Sequence, residues 1–133
     1  MIKRLQTQID YWRGSAEKSF KAAQILFDNR HYDSCLFFCH LALEKLLKGL
    51  TVVATSKEAP YIHDLVKLAN LANLELKKET IKELRIITTF NIAGRYQEEK
   101  LAFYKRCTKN YTTKYLNASK ILFSWLKKKY PKK

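Results

Sequence analysis

The chain is 133 residues long, carries a formal net charge of +14, and contains only three Gly and two Pro. That is the length of one domain able to bury a core without disulfides or a metal, and charged residues interrupt every apolar run before it could span a membrane. The first residues, MIKRLQTQIDYW, lack the apolar stretch and small-residue cleavage site of a secretory signal, and the cysteines number three, an odd count; both point to a cytoplasmic protein with reduced thiols.

With few turn residues and no sustained period-two alternation, the chain is expected to be all-α: an up-and-down bundle of four to five helices in a single domain over 1–133. The first helix is expected over 5–29, where Leu5, Ile9, Trp12, Ala16, Phe20, Ala23 and Phe27 step by three or four and share one face. Gly14 is placed to bend it or to start it afresh at Ser15. Asn29-Arg30-His31 is the turn, and the second helix follows over about 32–54, antiparallel to the first because the connection is short. Residues 35–50 of it, CLFFCHLALEKLLKGL, are apolar nearly all round, the mark of a buried helix. One polar line remains at four-residue spacing: His40, Glu44 and Lys48. A Glu44–Lys48 pair on a helix is worth about 0.2–0.5 kcal/mol; His40 is left without an assigned role.

Residues 55–60 (TSKEAP) form a loop, since Pro60 stops the helix and pushes Ala59 out of the helical region. A short third helix over about 63–74 turns Leu65, Leu68 and Leu71 or Ala72 inward and stops at Asn73. The fourth begins near Lys77, with Ile81, Leu84, Ile87 or Thr88, and Asn91 on its stripe. Ala93-Gly94-Arg95-Tyr96 breaks the pattern, and Gln97-Glu98-Glu99 leads into one long last helix over about 99–129. Its inner stripe is expected to be Tyr104, Thr108, Tyr111, Tyr115, Ala118, Leu122 and Trp125, with a basic tail at 130–133 that frays.

The charge is unevenly spread. Residues 100–133 hold eleven Lys and Arg and no Asp or Glu, which leaves +3 for residues 1–99. Such asymmetry points to an anionic partner, most often nucleic acid. The candidate backbone contacts are Lys105, Arg106, Lys109, Lys127, Lys128 and Lys129.

Three stretches carry a family resemblance: Cys39-His40-Leu41-Ala42-Leu43-Glu44-Lys45-Leu46-Leu47-Lys48-Gly49-Leu50; Pro60-Tyr61-Ile62-His63-Asp64-Leu65; and Ala93-Gly94-Arg95-Tyr96. In this order and spacing the chain resembles the HEPN domain proteins over about residues 12–127. The second stretch is similar to the family's Pro, His-Asp-Leu junction and the third to its Ala-Arg-Tyr-Pro segment, although Gln97 stands where the family often has Pro. The resemblance implies a helical bundle paired as a homodimer, with a cleft serving nucleotide- or RNA-related functions. Many members are described as the substrate-binding partner of a small nucleotidyltransferase, and others are ribonuclease toxins of toxin–antitoxin pairs.

The ribonuclease branches also carry Arg, four to six residues, then His. The positions that would need Arg are Gln24, Ile25 and Leu26 for His31; Asp33, Ser34 and Cys35 for His40; and Ser56, Lys57 and Glu58 for His63. None is Arg. Metal-free RNA cleavage needs a base for the 2′-hydroxyl and a cation for the phosphate, so binding without cleavage is the expected activity. A diverged ribonuclease and a purely structural interaction subunit are the alternatives. The candidate anion contacts are Lys48, His63 and Arg95, with His40, Glu44, Asp64 and Tyr96 around the same cleft. Asp64 equally suits a helix N-cap, and Arg95 equally suits a tie to Glu44, Glu98 or a helix C-terminus. Tyr104, Tyr111 and Tyr115 could stack on bases, but their helical spacing fits the core better. Zinc on Cys35, Cys39 and His40 is rejected, because nothing in the spacing brings Cys107 and His63 to complete four ligands. No cofactor is expected.

Overall fold

A computed structural model describes residues 2–132. Among them the chain is all-α, as expected, with six helices: α1 (Ile2–Asp28), α2 (Tyr32–Thr55), α3 (Leu65–Leu71), α4 (Lys78–Thr88), α5 (Gln97–Arg106) and α6 (Lys109–Lys127). None of them is long and apolar enough to cross a membrane.

α1 runs unbroken through Gly14. A glycine there costs about 1 kcal/mol of helix propensity relative to Ala, and packing along the whole apolar stripe outweighs that. Ala16 and Ala23, both fully buried, let α1 approach α2 closely. The reversal is made at Arg30, whose φ of 65° is left-handed; the His31 N–H then returns to the Leu26 carbonyl at 2.8 Å and closes the end of α1. α2 is the axis of the bundle, packed against α1, α6 and α3. Leu36, Leu43, Leu46 and Leu47 are fully buried in it.

α3 starts where Asp64 Oδ1 accepts from the backbone N–H groups of Val66 (3.0 Å) and Lys67 (3.2 Å), and it ends before Asn73, whose φ is 59°. α4 begins one residue past the expected start and stops at Thr88, so Asn91 lies in the connection that follows it.

The expected single last helix is two helices, which accounts for the extra element. Cys107 leaves the helical region, and Thr108 caps α6 by accepting from the Tyr111 N–H at 3.2 Å. A threonine hydroxyl offers the backbone this alternative to a continuous helix. Tyr104 is consequently 62% exposed rather than inward, and the buried line of α6 is Thr112, Leu116, Ser119, Phe123 and Leu126, together with Tyr115 and Leu122. Tyr111 and Tyr115 pack against the buried ring of Phe90.

The expectation of a fraying tail fails at Tyr130. Its ring is buried, its hydroxyl donates to the Leu46 carbonyl at 2.7 Å, and it fills the space left by the missing side chain of Gly49. An aromatic ring buried with its O–H satisfied outweighs the freedom of a chain end. Lys133 lies outside the described residues.

Candidate functional site

The polar line of α2 is buried, and its members meet one another. Glu44 is the hub. Its Oε2 lies 3.2 Å from Lys48 Nζ, and its Oε1 accepts from His63 Nδ1–H at 2.9 Å. The side chains of Glu44 and Lys48 are only 6% and 7% exposed. Burying such a pair is tolerated because each charge has a partner; removing either one strands the other in a medium that solvates it poorly. Lys48 also sits over two aromatic rings, 5.5 Å from the centroid of Trp12 and 5.6 Å from that of Tyr61, where the ring faces attract a cation.

His40, expected around the cleft with no assigned role, borders it and has a structural part. It is buried, and its Nε2–H donates to the backbone carbonyl of His63 at 3.1 Å, so it holds in place the loop that carries His63. Burial pushes its pKa below the usual histidine value, with the His63 carbonyl and Glu44 pulling the other way. The neutral ring with its proton on Nε2 leaves Nδ1 as a buried acceptor without a hydrogen-bond partner.

His63 is the exposed end of this network: its side chain is 47% exposed. The tautomer set by donation to Glu44 turns the lone pair of Nε2 outward. Beside it stands Tyr61, 91% exposed, with ring centroids 5.3 Å apart. The chain turns tightly at Tyr61, where the Ile62 N–H donates to the Pro60 carbonyl at 2.9 Å, and this brings the Tyr61 and His63 rings edge to face.

These residues border a cleft of about 420 Å³, within the range of small-ligand sites. α2 supplies Phe37, His40, Leu41 and Glu44; the loop before α3 supplies Tyr61 and His63; the α4–α5 connection supplies Asn91, Ala93 and Gly94. Gly94 has a φ of 78°, a left-handed value at which a side chain would be strained. A smaller crevice of about 240 Å³ shares Phe37 and Ala93 with the cleft and adds Phe38 and Lys100.

The matching sequence decides the family. Residues 9–129 match the HEPN domain. The chain belongs to the HEPN domain family. The fold agrees: the crystal structure of TT1696 from Thermus thermophilus superposes with a TM-score of 0.76, covering 92% of this chain and 98% of that one at 18% identity, a likeness that shows the shared fold alone. No curated protein matches the chain.

Within this HEPN domain, the structure brings together His40, Glu44, Lys48 and His63 out of the expected site residues. Asp64 is the α3 N-cap and does not border the cleft. Arg95 and Tyr96 are exposed and follow Gly94 without themselves lining the cleft; the Arg95 guanidinium lies 3.7 Å from Glu99 rather than near Glu44 or Glu98. Phe37, Tyr61 and Asn91 are cleft residues that the helical patterning had assigned to core or to a junction. For Tyr61, the available signal was an aromatic residue directly after Pro60 and two before His63, at a turn.

The basic residues form two groups. Lys105, Arg106 and Lys109 are exposed around the α5–α6 break, while Lys128 and Lys129 are exposed at the far end of α6. At 1.5 Å per residue, the length of α6 separates the groups by about 28 Å. Lys127 is engaged by Glu17 at 2.7 Å, and Lys129 lies over the Trp125 ring. Among the described residues, no cluster of His, Cys, Asp and Glu could hold a metal ion. Burial raises the pKa of the Cys107 thiol to about 12.

Proposed function

We propose that this HEPN domain binds a nucleotide or single-stranded RNA in the Glu44–His63 cleft, and that it serves as the substrate-binding partner of a small nucleotidyltransferase. The observation that carries the reading is the pairing of an almost fully exposed Tyr61 ring with the half-exposed His63 at the mouth of a preformed cleft. A base has a face to stack on in Tyr61, and Phe37 adds an apolar lining to the same cleft; base–aromatic stacking is worth about 1–3 kcal/mol per base. Asn91 and His63 offer hydrogen-bonding edges. We assign phosphate to His63 at the mouth and Lys100 in the adjoining crevice, with Arg95 next to Gly94 able to join them by leaving Glu99. Lys48, with its charge matched by Glu44, acts by holding Glu44 and the Tyr61 ring in place. The excess of positive charge in residues 100–133 supports a polyanionic ligand. The partnership with a nucleotidyltransferase follows the branch of the family in which such pairs are encoded together.

A second reading, a ribonuclease with a diverged site, is favoured by one observation: a histidine that donates Nδ1–H to a buried carboxylate presents its other nitrogen as a general base. Against it, Lys48, the cation of the same network, is paired with Glu44 at 3.2 Å and does not line the cleft beside His63.

The test is fluorescence anisotropy of a short labelled RNA with the wild type, Tyr61→Ala and His63→Ala, paired with an RNA-cleavage assay in EDTA. Binding that weakens about tenfold or more in Tyr61→Ala, with no cleavage by any of the three proteins, supports the binding module. Cleavage abolished by His63→Ala would establish the ribonuclease instead.

A further inference from the structure

We infer that a second hollow, between the middle of α1 and the C-terminal segment, is a binding site for a phosphate-type oxyanion of more than one charge. The hollow measures about 640 Å³ and is lined by Arg13 of α1, Lys127 and Lys128 at the end of α6, and Tyr130, Pro131 and Lys132 beyond it. Four of these six residues are cations.

Two features distinguish this hollow from a solvated tail. The segment that forms it is fixed, because Tyr130 is buried with its hydroxyl on the Leu46 carbonyl at 2.7 Å. The backbone before it is turned by hydrogen bonds from Lys129 to Leu126 (3.0 Å) and from Tyr130 to Lys127 (3.3 Å). Arg13 is held as well, with its guanidinium 5.6 Å from the centroid of the Tyr130 ring. Cations held in place lose less freedom when they take up a ligand than cations on a loose chain.

The acids in the surroundings do not cancel this charge. Glu17 engages Lys127 at 2.7 Å, and Asp10 borders the adjoining crevice, where it accepts from the Gln6 amide at 3.0 Å. Cations still outnumber acids by four to two. The negative end of the α6 dipole, equivalent to about half a charge, reduces the surplus without removing it. Each exposed cation acts weakly and is screened by salt, so the ligand that gains most is one that collects several at once. That requirement selects a polyphosphate or a run of phosphodiesters over a single carboxylate.

The hollow adjoins the cleft network. Trp12, next to Arg13, faces Lys48, and Tyr130 closes on Gly49, the residue after Lys48 on α2. The proposal deepens the cleft reading on the side of the nucleic-acid backbone. An inorganic tripolyphosphate probe has no base to stack in the cleft, and the comparison of variants at the two ends of α6 separates the hollow from the other cations.

The experiment measures binding of tripolyphosphate by titration calorimetry and of a single-stranded RNA by anisotropy, for three proteins. They are the wild type, Lys128→Gln/Lys132→Gln, and Lys105→Gln/Lys109→Gln, which removes the same charge at the other end of α6. All the substituted residues are exposed, so folding is not at stake. The expected result is a loss of affinity of about fivefold or more in the Lys128/Lys132 variant only, with the RNA salt slope reduced by about 1.4 for two cations on a single strand. Loss for RNA identifies the nucleic-acid backbone as the source of the phosphate; loss for tripolyphosphate alone identifies a free polyphosphate. Equal losses in both variants, or no loss in the Lys128/Lys132 variant for either probe, overturn the proposal.

Discussion

Tyr130 Oη donates to the carbonyl of Leu46 across 84 residues of sequence, at 2.7 Å, and the ring stands where a side chain on Gly49 would be. A methyl group at position 49 meets the Tyr130 ring and lies 3.1 Å from Trp12 Cβ, so Gly49→Ala forces Tyr130 to move. The expected loss is about 1–3 kcal/mol, as for an overpacked core. In a Tyr130→Ala background the same substitution should fall close to neutral, because the gain in helix propensity, about 1 kcal/mol, offsets the tight Trp12 contact. Urea unfolding of the four proteins in this double-mutant cycle measures the coupling; additive effects would disprove the contact.

The buried Glu44–Lys48 pair sets a second expectation. Glu44→Gln leaves Lys48 without its counter-charge at 7% exposure and should destabilise the fold by about 3–5 kcal/mol. Glu44→Gln with Lys48→Met removes both charges and should recover most of that loss. The comparison of denaturation midpoints decides it: a double variant no better than Glu44→Gln would mean that the single loss comes from elsewhere in the network, most directly from His63.

His40 makes stability depend on pH in a definite direction. Its folded pKa is held below the ordinary 6.5, first by burial, against the opposing pull of the His63 carbonyl and Glu44; His63 and Lys48 add to the lowering. Above the unfolded value neither state carries the proton, and the stability is fully present. As pH falls through about 6.5 and toward the folded value, the unfolded chain binds a proton that the folded one refuses, and stability declines by up to about 1.4 kcal/mol per pH unit. His40→Gln keeps a donor for the His63 carbonyl without titrating. Its stability should be flatter than that of wild type between pH 6.5 and 5; parallel curves would contradict the assignment.

Homodimerisation, expected from the apolar character of the second helix, is better served by a different surface, because most of the apolar residues of α2 are buried within the chain against α1, α3 and α6, and half-buried Phe37, Phe38 and Leu41 border the clefts. We propose that the face is on α5, where Leu101 and Tyr104, one turn apart, are 53% and 62% exposed. Light scattering at micromolar concentration should show a dimer, and Leu101→Lys/Tyr104→Lys should show a monomer with unchanged helix content. A wild-type monomer, or a dimer that persists in the variant, would rule this face out.

What the sequence showed and what it hid have physical causes. The α1 stripe, the burial of α2 and the Asn73 stop were legible because helical periodicity and left-handed propensity are local properties. The His40–Glu44–Lys48 line was visible as a pattern, but its meaning depended on His63, which arrives from a loop with no periodicity. The α5–α6 break was hidden because Thr108 continues the helical spacing even though its hydroxyl caps a new helix. Tyr130 reads as tail in the sequence because its partner, Gly49, lies on another helix, and the absence of a side chain leaves no local mark. Phe37 reads as core and Tyr61 as part of a junction for the same reason: a cleft wall is a property of three segments at once.

The central claim is that the Glu44–His63 cleft is where this HEPN domain takes up a nucleotide or RNA base. The most direct measurement is a nitrogen-15 NMR titration of the full chain with a mononucleotide and with a short single-stranded RNA. Binding in the cleft should give saturable shifts of the backbone amides of Tyr61, His63, Asn91, Ala93 and Gly94 with both ligands, lost in Tyr61→Ala. Shifts confined to the basic ends of α6, with the cleft amides unmoved by either ligand, would contradict it.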